Sequence, residues 1–114
     1  MNVLIVEDNP DLAGLLAILV QALGHTTQVC HCPAEAIAAV KHWLPQIVIT
    51  DIGLPQMDGY ELAPILHIQP GLSEVPIYSL SAYPDNPSRR RDAGIAAHFC
   101  KPITVSMLKH MLAA

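Results

Sequence analysis

Strand-like and helix-like segments alternate along the chain. The strand-like segments are short and mostly unbroken apolar runs, which is the pattern of strands that are covered on both faces of a sheet. They lie at residues 2–6, 26–30, 46–50, 75–80 and 96–100. Five buried or partly buried β-strands are therefore predicted.

Between these runs, apolar residues recur at the three- and four-residue spacing of an amphipathic helix. The first helix is predicted after Asn9 and Pro10, carries Leu12, Leu15, Leu16, Leu19 and Leu23, and ends at Gly24. A stripe of Ile37, Val40 and Leu44 predicts a second helix that Pro45 ends. Further helices are predicted from Gly59 to about Gln69, around 88–94, and from about 104 to 111. Pro64 is expected to kink or shorten the third of these five helices.

This alternation of strands and helices predicts an α/β fold with a parallel sheet, helices on both faces and right-handed crossovers. The 114 residues are enough for one domain, residues 1–114, with one core. With 52% hydrophobic but only 4% aromatic residues, that core should be aliphatic. In such sheets, functional groups collect at the carboxyl ends of the strands.

Charge and composition narrow the function further. A net charge of −4 with only six Lys and Arg predicts no direct nucleic-acid contact, although three arginines adjoin at 89–91. No apolar run approaches the roughly 20 residues of a membrane span, and the amino end lacks the basic segment of a signal peptide. A soluble, cytoplasmic protein without membrane insertion is expected.

The three cysteines predict reduced thiols, and a metal site at Cys30-His31-Cys32 is disfavoured.

Polar residues follow four of the predicted strands. Glu7 and Asp8 follow the first strand, Asp51 ends the third, Ser81 ends the fourth and Lys101 follows the fifth. Three clustered carboxylates repel one another unless a cation neutralises them, and Mg²⁺ or Mn²⁺ suits such oxygen ligands. A carboxylate beside a metal and an ammonium group can attack a phosphoryl group and form an aspartyl phosphate.

The quoted segments "VED" at 6–8, "DIGLPQMDG" at 51–59, "LSA" at 80–82 and "KP" at 101–102 resemble, in order and spacing, the receiver domains of bacterial two-component response regulators. The resemblance covers essentially the whole chain. It implies a flavodoxin-like (βα)5 fold with strand order 2-1-3-4-5. It also implies a phosphorylated signalling module of a two-component system or phosphorelay, and not an enzyme acting on a separate substrate.

The resemblance also implies roles for the residues at the strand ends. Asp51 is the expected phosphoacceptor, which takes a phosphoryl group from the phosphohistidine of a histidine kinase or a histidine phosphotransfer protein. Asp8 and Asp51 are expected to ligate Mg²⁺ with the backbone carbonyl of Gly53, while Glu7 reaches the ion through water. Lys101 is expected to pair with Asp51 or with the phosphoryl group, across a cis Lys101-Pro102 bond.

The resemblance further implies a switch. Ser81 is expected to close on the phosphoryl group, and the residue three before Lys101, usually Tyr or Phe in the family, is expected to turn inward. Here that residue is His98, whose ring differs from a phenol because it can carry a charge. The fourth helix, fifth strand and last helix would form the output surface, including the arginines at 89–91, which either are a solvated face or meet an acidic partner or a second receiver. The other histidines are expected at the surface: His25, His31, His42, His67 and His110.

A second function class is a metal-dependent phosphatase with an aspartate nucleophile. Such an enzyme needs a second acid as general acid and base, and usually a cap over the substrate. The chain has no inserted segment that could form a cap, so the signalling module is the favoured reading. The sequence does not distinguish a free-standing receiver from one that is part of a hybrid kinase or another multidomain regulator.

Overall fold

A computed structural model describes residues 1–113, which form five strands and five helices in strict alternation. The strands are β1 (Asn2–Val6), β2 (Thr26–Cys30), β3 (Ile47–Asp51), β4 (Ile77–Ser81) and β5 (Ala97–Cys100). The helices are α1 (Pro10–Ala22), α2 (Pro33–Ala39), α3 (Gly59–His67), α4 (Pro87–Asp92) and α5 (Val105–Leu112).

All four strand pairings are parallel, and the strands lie in the order β2-β1-β3-β4-β5. This confirms the α/β class and the order that the resemblance implied. The register aligns the carboxyl ends, since Val6 pairs with Thr50, Asp51 with Leu80 and Ser81 with Cys100. The ends of β1, β3, β4 and β5 therefore share one edge of the sheet.

The sheet separates two hydrophobic layers, and alternate residues of β1 enter each of them. One layer packs α1 and α5 against the sheet through Leu16, Val20, Leu108 and Met111. The other packs α2 and α3 through Ala36, Leu62 and Leu66. Each fully buried Leu or Ile contributes roughly 1.5–3 kcal/mol, so β1 and β3, covered on both sides, form a rigid platform for the groups at their ends.

Two of the predicted helical stripes differ from the structure. The second helix ends at Ala39, and Leu44, predicted on its buried face, is 53% exposed. The Asn2 side-chain amide donates to the Leu44 carbonyl at 3.2 Å, and the Asn2 N–H donates to Gln46 Oε1 at 2.8 Å. These contacts hold residues 44–46 beside Asn2, the first residue of β1, so the chain leaves the helix before it enters β3. In α1 the buried residues include Leu16, whereas Leu15 is 47% exposed.

The third helix continues past Pro64 and ends two residues before the predicted Gln69. Asp58 begins it with a capping box: its side chain accepts from the Glu61 N–H at 2.9 Å, and the Glu61 side chain accepts from the Asp58 N–H. Pro64 is solvent-exposed, so the carbonyl that its missing N–H leaves unpaired one turn earlier can face water.

Other boundaries shifted by one or two residues at the strand ends. The third strand begins at Ile47 and includes Asp51 as its last residue. Gln46 lies just before it and bonds to Asn2 through both its backbone N–H and its side chain. The fourth strand begins at Ile77, after Pro76, and the fifth at Ala97. Within residues 1–113, no helix is long and apolar enough to cross a bilayer, and the longest, α1, has 13 residues.

Candidate functional site

Asp51 is the last residue of β3 and is only 9% exposed. Each of its carboxylate oxygens accepts one hydrogen bond: Oδ1 from the Gly53 N–H at 3.2 Å and Oδ2 from Lys101 Nζ at 3.1 Å. A short side chain on a buried strand has little freedom, and these two donors restrict it further. The carboxylate is therefore held at the sheet edge in one orientation.

Glu7 and Asp8 follow β1 at the same edge. Glu7 is 2% exposed, and its carboxylate accepts from Lys101 Nζ at 2.8 Å and from the Asn9 N–H at 3.1 Å. Asp8 is exposed. The next residues begin α1, where the Asn9 side chain caps the first turn and Pro10 opens the helix. The chain thus turns immediately after the two acids, which keeps both at the crevice.

Glu7, Asp8 and Asp51 form a carboxylate cluster in which one oxygen from each residue lies within 4.8 Å of the others. Lys101 supplies one positive charge, so the ionised cluster retains two negative charges that need compensation. Clustered oxygen donors with this charge suit a divalent hard cation such as Mg²⁺. The donor set therefore fits the ion expected from the sequence.

The electrostatics of the cluster follow from burial and close charges. Burial raises the pKa of Glu7 above its ordinary value, and the Asp51 charge adds to the rise, although hydrogen bonds from Lys101 and Asn9 oppose it. Burial lowers the pKa of Lys101, but its hydrogen bonds to Glu7 and Asp51 outweigh this, and the pKa is raised overall. Lys101 therefore stays charged at neutral pH.

Lys101 directly follows β5, and its backbone N–H donates to the Ser81 carbonyl at 2.8 Å. The Lys101-Pro102 peptide bond is cis, as predicted. The lysine reaches two carboxylates from distant parts of the chain, with ion-pair distances of 2.8 Å to Glu7 and 3.1 Å to Asp51. The expected pairing with Asp51 is present, and the shorter contact with Glu7 was not anticipated.

Ser81 ends β4 and is buried at the same edge. Its Oγ accepts a hydrogen bond from the Tyr83 N–H at 3.0 Å, which closes a tight turn after the strand. The hydroxyl hydrogen stays available as a donor. Ser81 therefore lies on the element predicted, with its oxygen engaged by the loop that follows.

His98 lies on β5, half-buried between β4 and the loop after it. Its Nδ1 is 2.7 Å from Ser79 Oγ, and its Nε2 is 3.0 Å from the Tyr83 carbonyl. A carbonyl can only accept, so Nε2 carries the proton and donates. The ring is thus bonded to both neighbours in this structure, and the inward turn on activation that the resemblance implies stays a prediction.

Gly59, the first residue of α3, is a supporting residue that the sequence reasoning passed over. A Cβ at this position would lie 2.6 Å from the Asp51 carbonyl oxygen, and the Gly59 N–H donates to the Ile52 carbonyl at 2.8 Å. The start of α3 therefore packs against the backbone of the residue that carries the central carboxylate. The signal was the Asp-Gly pair at 58–59, because Gly is favoured where two backbones approach closely.

Two of the three adjacent arginines have acidic partners within the molecule. Arg89 pairs with Asp58 at 3.1 Å and lies over the Tyr60 ring, 4.4 Å from its centroid, and Arg90 pairs with Asp85 at 3.0 Å. Helix α4 has no buried residue, so these contacts and its Asn86 cap hold it in place. Within residues 1–113, Arg91 has no such ion pair, and contact of this helix face with an acidic partner or a second receiver stays a prediction.

The fold and this site together define a doubly wound parallel α/β domain with an acidic crevice and a lysine at the carboxyl ends of its strands. The model of the response regulator receiver domain family matches residues 3–113, and the chain belongs to this family. It is therefore a receiver domain of two-component signalling, the kind of domain found in response regulators and in hybrid kinases and paired with histidine kinases.

Known proteins similar to the chain differ widely in length. It is 33% identical over 103 residues to a gliding motility regulatory protein of Myxococcus xanthus, covering 89% of this chain but 13% of that protein. It is 30% identical over 106 residues to the polar-differentiation response regulator DivK of Brucella ovis, covering 91% of this chain and 86% of DivK.

Among solved structures, the receiver domain of a sensor histidine kinase from Pseudomonas aeruginosa PAO1 superposes with a TM-score of 0.85. It is 23% identical, and the match covers 99% of this chain and 98% of that one. That domain was solved with a magnesium ion coordinated in its active site cleft. The acidic cluster of this chain lies at the carboxyl ends of its parallel strands, the edge at which this fold class binds ligands.

Proposed function

We propose that this chain is a phosphoacceptor that takes a phosphoryl group from a phosphohistidine onto Asp51. One observation supports this most strongly: Asp51 ends a buried strand, with Lys101 Nζ 3.1 Å from one carboxylate oxygen and two further acids within 4.8 Å. Phosphoryl transfer to a carboxylate requires a rigid nucleophile with positive charge beside it, which Lys101 supplies and a divalent cation held by the surplus carboxylates would add to.

In the proposed reaction, an Asp51 carboxylate oxygen forms a bond to phosphorus as the bond between phosphorus and the donor imidazole nitrogen breaks. The electron pair of that bond returns to the imidazole, which is released neutral after taking up a proton. Lys101 is placed to leave its bond with Asp51 and pair with a phosphoryl oxygen. Its raised pKa keeps the ammonium charged throughout.

Mg²⁺, or Mn²⁺ in its place, would be held by the carboxylates of Asp8 and Asp51 and the backbone carbonyl of Gly53, with Glu7 acting through water. When bound, the ion would neutralise charge on the phosphoryl oxygens and help align them with the nucleophile. The uncompensated charge of the carboxylate cluster supports this assignment.

Ser81 is the proposed second contact to the phosphoryl group. Its hydroxyl can donate to a phosphoryl oxygen, and the movement would weaken its bond to the Tyr83 N–H. The Tyr83 carbonyl is bonded to His98, so this change would reach β5 directly. We infer that the surface of α4, β5 and α5 changes with phosphorylation, with Ser81 and His98 as switch residues, and that it can pair with a second receiver.

We further propose that residues 1–114 form one receiver domain whose partner is a histidine kinase or a histidine phosphotransfer protein. The domain would act as a signalling module that catalyses only its own phosphorylation and dephosphorylation. It could stand alone, as the coverage of DivK suggests, or form part of a larger regulator, as in the Myxococcus relative. No direct nucleic-acid contact is proposed, because the net charge is −4.

The direct test is phosphorylation by a small acyl phosphate in the presence of Mg²⁺, followed by intact-protein mass spectrometry. The wild type should gain one phosphoryl group, and Asp51→Asn should gain none. Asp58→Asn is the matched control, because Asp58 lies seven residues away in the same segment but caps α3, and it should be phosphorylated normally. Undiminished phosphorylation of Asp51→Asn would show that the nucleophile is assigned wrongly.

The same preparation separates this function from a phosphatase. A phosphoacceptor takes up one phosphoryl group per chain, and it does not hydrolyse a separate phosphomonoester. Sustained release of phosphate from a monoester such as p-nitrophenyl phosphate, lost in Asp51→Asn, would instead establish the phosphatase.

A further inference from the structure

We propose that His31 is a positioning residue of the acidic pair: its ring N–H holds the Glu7 carbonyl and thereby sets the direction in which Asp8 presents its carboxylate. The inference rests on the metal-dependent function proposed above. It concerns a residue that neither the sequence patterns nor the resemblance connected with the site.

Two hydrogen bonds hold the backbone of Glu7, one at its N–H and one at its carbonyl, and both partners lie at or just after the end of β2. Its N–H donates to the Cys30 carbonyl at 2.9 Å, and its carbonyl lies 3.0 Å from His31 Nδ1. The first contact continues the ladder between β1 and β2, which ends with the pair Val6 and Cys30. The second uses a side chain, so it depends on the identity of residue 31.

His31 is suited to this contact because its own backbone is anchored. Its N–H donates to Glu35 Oε2 at 3.3 Å, and the following residue, Cys32, is the extended N-cap residue just before α2. The residue is exposed, so burial does not explain its ring position. A carbonyl oxygen only accepts, so Nδ1 must carry a proton, a condition that both the neutral Nδ1–H tautomer and the charged ring satisfy.

The consequence reaches Asp8 through the planar peptide bond. The Glu7 carbonyl and the Asp8 N–H belong to one rigid unit, so fixing the oxygen fixes where the chain leaves toward the Asp8 Cα. Asp8 is exposed and lacks the burial that restrains Glu7 and Asp51. Its place in the 4.8 Å carboxylate cluster therefore depends on the backbone direction. Groups that orient metal ligands indirectly are a general determinant of metal affinity.

The test uses two substitutions at this position. His31→Phe keeps a planar ring but removes the donor, whereas His31→Asn places an amide N–H near the position of Nδ1. Mg²⁺ is titrated into the ¹⁵N-labelled proteins, and the dissociation constant is read from the backbone amide signals of residues 7–9 and 51–53. His42→Phe is the matched control, because His42 is also an exposed histidine near α2.

We expect His31→Phe to raise the dissociation constant for Mg²⁺ about fivefold, the change that corresponds to one ordinary hydrogen bond. His31→Asn should bind within about twofold of the wild type, and His42→Phe should be unchanged. The metal-free His31→Phe protein should melt a few degrees below the wild type, because the same hydrogen bond is lost from its folded state. At saturating Mg²⁺, the phosphorylation rate of His31→Phe should return to that of the wild type, because positioning affects binding and the ligands are intact.

Three results would overturn the inference. Equal Mg²⁺ affinity in His31→Phe and the wild type would remove its basis, and equal weakening in the Phe and Asn variants would show that the donor is not what matters. A reduced rate that saturating Mg²⁺ does not restore would assign His31 another role. If the wild type itself binds no Mg²⁺, the proposed function fails together with the inference, and the wild-type titration shows this separately.

Discussion

Nδ1 of His98 lies 2.7 Å from Oγ of Ser79, a side chain that is fully buried in β4. The other ring nitrogen donates to the Tyr83 carbonyl, and the Tyr83 N–H donates to Ser81 Oγ. A continuous series of hydrogen bonds thus joins the crevice to β5. Any movement of Ser81 changes the hydrogen bond from the Tyr83 N–H, which is the end of this series at the crevice.

The first prediction is that His98→Ala uncouples the distal surface while leaving phosphorylation intact. In the wild type, a beryllofluoride mimic of the phosphoryl group should shift backbone NMR signals around residues 83–104. Removing the ring removes the hydrogen bond from His98 to the Tyr83 carbonyl and leaves the weaker contact from Cys100 Sγ at 3.8 Å. These distal shifts should therefore shrink, while the rate of phosphorylation at Asp51 stays within about twofold, since no contact to the carboxylate is lost.

His98→Phe is the control for this prediction, since it keeps a ring of similar size and removes both hydrogen bonds. Distal shifts that are absent in the wild type, or complete in both variants, would rule out His98 as a switch residue.

The second prediction concerns the pH dependence of stability. Because burial raises the pKa of Glu7, the folded protein holds a proton there at pH values at which the unfolded chain has lost it. The stability that Glu7 contributes is therefore lost as pH rises from the ordinary carboxyl pKa through the raised one. Glu7→Gln does not titrate, so metal-free wild type should become less stable relative to this variant as pH rises from about 4 to about 7.

Urea unfolding in the presence of EDTA measures this difference, and Glu74→Gln, at an exposed position, is the matched control. If the difference between the wild type and Glu7→Gln grows in favour of the wild type with rising pH, the raised pKa is wrong.

The third prediction is that Mg²⁺ stabilises the wild type. The three carboxylates repel one another without a cation, and an ion at 100 times its dissociation constant stabilises the folded state by about 2.7 kcal/mol. Millimolar Mg²⁺ should therefore raise the melting temperature at pH 7, and Asp8→Asn should abolish most of the rise. Asp11→Asn, an acid in the first turn of α1, should retain it. If calorimetry finds equal rises in melting temperature in Asp8→Asn and Asp11→Asn, the ion binds elsewhere.

The fourth prediction uses the close contact at Gly59. Alanine there would bring a Cβ to 2.6 Å from the Asp51 carbonyl oxygen, so the backbone of β3 or α3 must shift. Gly59→Ala should destabilise the protein by about 1–3 kcal/mol, as overpacking does, and slow the phosphorylation of Asp51. Gly14→Ala in α1 meets nothing within 4 Å and should stabilise by about 0.5–1 kcal/mol. Chemical denaturation measures the free energy of unfolding of both variants. A Gly59→Ala protein that is as stable and as readily phosphorylated as the wild type would contradict the prediction.

The fifth prediction separates two roles of Asp58. Asp58→Ala removes the cap of α3 and the ion pair with Arg89, and it should cost about 1–2 kcal/mol. Asp58→Asn keeps a capping oxygen and loses only the charge. Because Arg89 is about half exposed, that change should cost less than about 1 kcal/mol. Equal losses measured by urea unfolding would mean that the ion pair, and not the cap, carries the contribution.

The order of elements and the residues of the crevice were accessible from the sequence. Unbroken apolar runs such as 3–6 and 47–49, within the predicted strands 2–6 and 46–50, indicate burial on both faces, a local property that each segment carries by itself. Acids and a lysine placed after such runs must meet at one edge, because parallel strands end on the same side. The strand order came from the resemblance, since hydrophobic spacing does not say which strand lies beside which.

Contacts between distant residues were decided only by the tertiary structure. Lys101 and Glu7 are 94 positions apart, and their 2.8 Å pairing depends on the register of the four strands β1, β3, β4 and β5. The bond from His31 to Glu7 and the early end of α2 have the same origin, since each depends on where another segment places a carbonyl or an amide. A periodic pattern reports whether a position is buried, and it carries no information about which partner a polar side chain will find.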